Sequence, residues 1–330
     1  MPTLGIAALL DAYFRRRFAA AGLVEASVEL DGGATTVHCW RFPPPVTDAD
    51  ADADARPVLV LLHGFGPPAT WQWRRQVGPL ARRFRLIVPD LLFFGGSGTS
   101  APGARSEAHQ AEAVAKLVAA MVPGARRVCV AGTSYGGFVA YHVARLLGPA
   151  AVDRVVIASS DLLKADADDR ALLRRGGADR VEDVMLPRSP ERMRRLVRLA
   201  YHRPRRFTPG FVLRDLVQIR VAMEIATETI LLQYLYNDKV EEKIELIKGI
   251  TLGNKDQFQL TPLQQEVLVL WGEHDQIFPI EKAFEVTRKL GANARLEVVK
   301  NTGHLPQEED PKRFNEALMN FLLPAPKSSL

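Results

Sequence analysis

Val128-Cys129-Val130-Ala131-Gly132-Thr133-Ser134-Tyr135-Gly136-Gly137 is the stretch that decides the fold. Four apolar residues ended by glycine and followed by a helix-patterned segment read as a strand buried on both faces that turns sharply into a helix. Ser134 stands on that turn, with Gly132 and Gly136 two residues to either side. A nucleophile on such a turn has a strained backbone, and only small neighbours leave room for it. The turn also sets Ser134 at a helix N-terminus, where the dipole and free N–H groups favour a developing oxyanion. A bare Gly-x-Ser-x-Gly also fits an inert glycine turn; the strand, turn and helix around it favour the nucleophile.

The same rhythm extends outward. Short apolar runs at Val58 to Leu62, Phe84 to Val88, Val155 to Ala158, Val267 to Leu270 and Leu296 to Val299 read as further buried strands of a mostly parallel sheet. Helices are expected at Arg105 to Met121, Tyr135 to Leu147, Pro279 to Leu290 and Pro311 to Phe321. Asp310-Pro311 supplies an N-cap with proline at the first helical position, and Gly291 a C-terminal stop. Leu23 to Leu30 and Thr35 to Phe42 alternate around Asp31-Gly32-Gly33 and read as a hairpin. Pro43 to Arg56, with its Asp/Ala run, is a solvated connection. From Asp161 to Pro262 the strand rhythm gives way to arginine-rich, helix-patterned text and then resumes, which marks an insertion into the sheet. The expected organisation is an N-terminal amphipathic helix over 1–22, a core over 23–160 and 263–330, and a helical cap over 161–262.

A serine hydroxyl needs a base, and the base needs a partner that fixes its tautomer. His304, in Asn301-Thr302-Gly303-His304, follows the last strand, and Asp275, in Trp271-Gly272-Glu273-His274-Asp275, follows the one before. The chain order Ser134, Asp275, His304 suits a nucleophile on this kind of turn. Asp161, just past Ala158-Ser159-Ser160, is the rival acid. His63-Gly64-Phe65-Gly66 follows the strand Val58 to Leu62 and offers a second glycine-flanked turn. Phe65 and Tyr135 are the expected backbone donors to an oxyanion, with Gly64, Gly66, Gly132 and Gly136 shaping the turns and His63 holding the loop. Ser97, in Gly95-Gly96-Ser97-Gly98, lacks the elbow spacing and the lysine of a phosphate loop, and reads as a flexible turn. Trp71 and Trp73, at strand-like spacing, read as core packing, with pocket lining as the alternative.

Composition excludes several classes. With 47% hydrophobic and 25% charged residues over 330 positions, the chain can bury a large core. A net charge of +5 is too small to imply a nucleic-acid partner. Cys39 and Cys129, each in an apolar run, read as buried thiols with no metal site or disulfide, which points to a reducing, intracellular and cytoplasmic setting. No apolar run reaches transmembrane length. At the N-terminus the apolar Leu4 to Leu10 precedes Arg15-Arg16-Arg17, the reverse of a signal peptide. Its helix lies on the protein, or dips Leu4, Leu10, Phe14 and Phe18 into a membrane surface.

Together the His-Gly-Phe-Gly turn, Pro89-Asp90-Leu91-Leu92-Phe93-Phe94-Gly95 with Ser97, the elbow at Ser134, Trp271-Gly272-Glu273-His274-Asp275 with Pro279, and Gly303-His304 resemble the α/β-hydrolase superfamily over nearly all of Pro57 to Leu322. The Leu-Leu-Phe-Phe-Gly stretch and the position of the insertion resemble its capped esterase and monoacylglycerol-lipase-like branch. Relatives that open epoxides or displace halide carry Asp at the elbow, where this chain has Ser134. The resemblance implies acyl transfer to water with no cofactor, on a small-molecule ester or lipid of medium to long acyl chain. The same three groups also serve carbon–carbon bond hydrolases and lyases, and a small-molecule receptor can retain them without turnover. Phe207, Phe211, Val212, Leu213, Ile230, Leu231, Leu232, Tyr234 and Leu235 offer an acyl channel or simple helix packing. The arginines from Arg170 to Arg206 read as a solvated face, with attraction to an acidic substrate or anionic lipid as the alternative.

Overall fold

Residues 5–44, 54–103, 105–122, 127–203, 238–250 and 259–323 are described by the structure, a computed structural model. Its strands are β1 (Val24–Leu30), β2 (Thr35–Arg41), β3 (Val58–Leu62), β4 (Arg85–Pro89), β5 (Gly98–Thr99), β6 (Val128–Thr133), β7 (Val152–Ala158), β8 (Glu266–Gly272) and β9 (Ala294–Val299). They form one sheet in the order β1-β2-β4-β3-β6-β7-β8-β9, with β5 against β2. The hairpin β1–β2 and the pairs β2–β4 and β2–β5 are antiparallel; every pair from β4 through β3 to β9 is parallel.

The apolar runs are continuous because both faces are covered. Val58, Val60 and Leu62 of β3 pack into one core cluster, and Leu59 and Leu61 into another on the opposite face, as the two-residue side-chain period requires. The long helices α4 (Glu107–Met121) and α5 (Tyr135–Ala151) cover the first face. Helical geometry in α5 breaks at Gly148 (φ 69°) before Pro149, so its regular part ends at Leu147. β9 departs from expectation: it is the sheet edge with only β8 beside it, Leu296 and Val298 are half-buried, Arg295 and Glu297 are exposed, and only Val299 is buried.

The N-terminal helix α1 (Gly5–Ala20) corrects the membrane expectation for two of its residues. Phe18 is wholly buried against Trp40, and Phe14 packs edge-on against Trp71 with ring centroids 4.9 Å apart. These phenyl groups fill the protein's own interior, so they cannot also enter lipid; Leu10 is half-buried and Leu4 lies outside the described residues. Trp71 and Trp73 are also placed differently, on a helical turn, α2 (Ala69–Gln72), and its C-cap, just ahead of another short helix, α3 (Val77–Ala81). Trp73 packs near Phe314, whereas Trp71 borders a cavity. Cys39 and Cys129 are buried free thiols, both pushed up to about 12 by burial.

Between β7 and β8 the described chain is helical: α6 (Asp166–Gly176), α7 (Val181–Met185), α8 (Pro190–Ala200) and α9 (Val240–Lys248). The expected channel residues from Phe207 to Leu235 lie outside the described residues. After β8 come α10 (Ile280–Leu290), α11 (Pro306–Glu309) and α12 (Pro311–Leu322), the last capped by Asp310, which accepts the Arg313 N–H. Among the described residues no helix is long and apolar enough to cross a membrane.

Candidate active site

The sheet order reverses beside β3, since β4 lies to one side of it and β6 to the other. In open α/β sheets that reversal leaves a crevice at the carboxyl ends of the strands. The turn after β3 carries Gly64 and Phe65 into it, and the turn after β6 carries Ser134. Ser134 has φ 51° and ψ −122°, a backbone that non-glycine residues rarely adopt. It is over-determined: the Ser134 N–H donates to Ala158 O at 2.8 Å, and Ser134 O accepts from Gly137 N–H and from the Ser160 hydroxyl. A Cβ on Gly132 would lie 1.9 Å from Gly136 O, and one on Gly136 would lie 2.2 Å from Leu62 O. Only glycine permits this approach of helix, strand and turn.

His304 and Asp275 meet Ser134. His304 Nε2 lies 2.8 Å from Ser134 Oγ, and its Nδ1 lies 2.8 Å from Asp275 Oδ2. The Asp275 carboxylate accepts at its other oxygen from the N–H groups of Ile277 (2.8 Å) and Phe278 (2.9 Å). An ionised carboxylate only accepts, so His304 Nδ1 carries the proton and Nε2 faces the serine hydroxyl as acceptor. All three side chains are buried. The rival Asp161 pairs elsewhere: its carboxylate lies 3.3 Å from Lys282 Nζ, and burial raises it to about 6.

His63 is a support. It is fully buried; its Nδ1–H donates to Gly64 O at 2.7 Å, and its Nε2 accepts from Leu91 N–H at 2.9 Å. Burial lowers its pKa and keeps it neutral. Gly66 completes the turn with φ 122°, and the rings of Phe65 and Tyr135 meet edge to face with centroids 6.0 Å apart. Ser97 corrects the expectation of a flexible turn. It is buried, its Oγ accepts from His38 N–H at 2.9 Å and donates to Asp90 O at 2.7 Å, and Asp90 in turn holds His38 Nδ1 at 2.8 Å. Its glycines let the chain close over that network; Gly96 has His38 where a Cβ would be, 2.8 Å away.

Gln72 is a site residue that the sequence does not announce. Its Oε1 accepts from Gly64 N–H at 2.8 Å, and its Nε2 donates to Gly64 O at 2.9 Å and Pro67 O at 2.7 Å, so it clamps the turn that carries Phe65. Glu309 is a second. It accepts from Gly303 N–H (2.6 Å), beside His304, and from the N–H groups of His202 (3.2 Å) and Arg203 (3.0 Å), beyond α8. That seam is tight: a Cβ on Gly303 would lie 2.7 Å from His202 N.

A cavity of about 290 Å3 opens onto Ser134 and His304. Met185, Met193, Leu196, Val197 and Ala200 from the insertion line it, with Trp71 and Ile277. Residues 193, 196, 197 and 200 share one helix face, a periodicity that is present in the sequence.

The alpha/beta hydrolase family model matches residues 59–317. The chain is 26% identical over 293 residues to the uncharacterized protein Rv2715 of Mycobacterium tuberculosis, covering 87% of this chain and 80% of that one. It is 23% identical over 271 residues to human monoacylglycerol lipase ABHD6, covering 81% and 75%. The solved 2-hydroxy-6-oxo-6-phenylhexa-2,4-dienoate hydrolase of a Rhodococcus species shares the fold, with a TM-score of 0.64, 22% identity, and coverage of 90% of this chain and 98% of that one. The match over most of its length, on a sheet and elbow of this form, places the chain in the alpha/beta hydrolase family.

Proposed function

We propose that the chain is a serine hydrolase that cleaves a carboxylic ester of medium to long acyl chain, of the monoacylglycerol kind, through an acyl-enzyme on Ser134. The observation that carries this reading is the unbroken hydrogen-bond path from Asp275 through His304 to Ser134 Oγ, with both links at 2.8 Å. Its second support is the apolar cavity above that hydroxyl. In the first step Ser134 Oγ bonds to the ester carbonyl carbon as its proton passes to His304 Nε2, while Asp275 stabilises the imidazolium. The carbonyl oxygen becomes an oxyanion that accepts hydrogen bonds from the N–H groups of Phe65 and Tyr135. Collapse expels the alcohol, which takes the proton from His304. Water then attacks the acyl-serine, giving its proton to the same imidazole; as the C–O bond to Ser134 breaks, Oγ takes that proton back and the acid leaves.

The test is a chain-length series of p-nitrophenyl and glyceryl esters with wild type and Ser134→Ala, together with a fluorophosphonate probe. Turnover and labelling at Ser134 are expected in wild type, and both are lost in Ser134→Ala. Full activity in that variant, absence of label, or turnover confined to a diketone panel would overturn the ester assignment.

A further inference from the structure

The catalytic cavity adjoins a second, polar cleft. This cleft, of about 660 Å3, lies between the α8 end of the insertion, the loop after β9 and the start of α12. Arg74, Val197, Tyr201 and Glu308 line both, so the cleft begins where the catalytic cavity ends. Five cationic side chains face it among the described residues: Arg74, Arg75, Arg203, Lys300 and Arg313.

Three carboxylates also face it, and each is engaged by the protein. Glu308 is held by Arg74 and lies 3.3 Å from Arg75 Nε. Glu309 accepts the three backbone N–H groups already described. Asp310 caps α12 through Arg313 N–H at 3.1 Å, with Arg313 Nε 3.5 Å away. Lys300 pairs with Glu273 at 2.9 Å. Among the described residues the Arg203 guanidinium meets Asn301 Oδ1, at 3.5 Å, and both residues are exposed. Positive charge is therefore in excess on one side of the catalytic cavity, whereas the side lined by Met185, Met193 and Ile277 is apolar.

We propose that the cleft is the subsite for a phosphate-bearing head group on the alcohol part of the ester, with Arg203 and Arg313 as its principal contacts. The inference rests on the ester reading of Ser134. The acyl chain lies in the apolar cavity with its carbonyl at Ser134, and the alcohol portion leaves past Arg74 and Tyr201 into the cleft. Tyr201 stays protonated, because burial and then Glu308 push its phenol up to about 12, and it presents a neutral boundary between the two. Guanidinium forks suit phosphate because they meet two of its oxygens at once, and a neutral glycerol needs no such charge.

The experiment compares two medium-chain esters with the same acyl group, 1-acylglycerol and 1-acylglycerol 3-phosphate, below their micelle concentrations. Wild type is set against Arg203→Ala and the double variant Arg203→Glu with Arg313→Glu. At low ionic strength kcat/KM is expected to favour the phosphate ester by about tenfold, with added salt eroding the preference. Charge reversal is expected to remove that preference through KM and to leave the neutral ester unchanged. Glycerol 3-phosphate and inorganic phosphate serve as competitors: glycerol 3-phosphate is expected to slow the phosphate ester in wild type and not in the double variant. Equal kcat/KM for the two esters in wild type, or equal losses on both in the variants, overturns the subsite while leaving ester hydrolysis standing. Inhibition by inorganic phosphate without any preference for the phosphate ester assigns the cleft to a free anion and also overturns it. If wild type cleaves neither ester, the ester reading itself fails and the subsite falls with it.

Discussion

Replacing Gln72 by methionine isolates what the clamp on the Phe65 turn contributes, because the side chain keeps its length and loses its polar atoms. Three hydrogen bonds disappear: one from Gly64 N–H and two to the carbonyls of Gly64 and Pro67. The losses are unequal. Gly64 O retains its bond from His63 Nδ1–H, whereas the buried Gly64 N–H is left without its acceptor. A buried unsatisfied donor costs about 1–3 kcal/mol, and the exchange at Pro67 O about 1 kcal/mol more, so a stability loss of ~2–4 kcal/mol is expected. Deleting an oxyanion donor outright lowers turnover by about 10²–10³. Here His63 still holds one side of the turn, so the Phe65 N–H, the proposed oxyanion donor, is displaced and not lost, and a fall in kcat of about 10- to 100-fold is the expected result. The assay is steady-state hydrolysis of a soluble p-nitrophenyl ester at saturating substrate, run beside urea unfolding. KM should move little, since the turn acts on the transition state more than on the bound ester. Unchanged kcat together with the stability loss would refute the claim that Gln72 aims the Phe65 N–H.

Gly132→Ala forces a Cβ to 1.9 Å from Gly136 O, a clash with backbone that no rotamer relieves, so a stability loss above about 4 kcal/mol or no folded protein is expected by thermal unfolding; a folded variant with wild-type midpoint would contradict it. Asp161 is raised to about 6 by burial, so the folded chain binds its proton more tightly than the unfolded chain does. This group lowers stability as pH rises from about 4 to 6, by up to ~3 kcal/mol, and no further above that window. Asp161→Asn keeps the acceptor for Leu163 N–H and should flatten that slope in urea midpoints measured across pH; parallel curves for the two proteins would dispose of the idea. Phe18→Ala should cost about 3–5 kcal/mol because the ring is fully buried, whereas Leu9→Ala, at 70% exposed, should stay within about 0.5 kcal/mol. Equal midpoints for these two variants in chemical denaturation would mean that α1 is not packed as described.

What could be read from the sequence was what one dominant force writes locally. Val58 to Leu62 and Val128 to Ala131 are legible because burial on both faces leaves no polar position, and the Ser134 turn because steric exclusion demands glycine at fixed spacing. The order of Ser134, Asp275 and His304 followed from the strands that carry them. Contacts between loops left no such mark. Gln72 reaches Gly64 across eight positions with no periodicity to betray it, and Glu309 meets His202 from 107 residues away. Ser97 looked mobile because its glycines were visible and its partners His38 and Asp90 were not. Trp71 and Trp73 mislead for a simpler reason: a spacing of two fits a strand, but the prolines before them start a helical turn. In α1 the apolar positions were visible and their destination was not, since a phenyl group facing Trp40 and one facing lipid leave the same letters.

The bridge made by Glu309 restricts how the region above the sheet can diversify. One carboxylate answers both to the peptide beside the imidazole and to the chain leaving α8. A replacement that moves the backbone of residues 200 to 203 therefore tugs on the loop that carries His304, whereas a change confined to the Arg203 side chain leaves those N–H groups in place. Exchange of acyl-chain preference is tolerated most readily on the inner face of α8, where Met193 and Leu196 border the cavity, and backbone change least at the hem where the helix is stitched down.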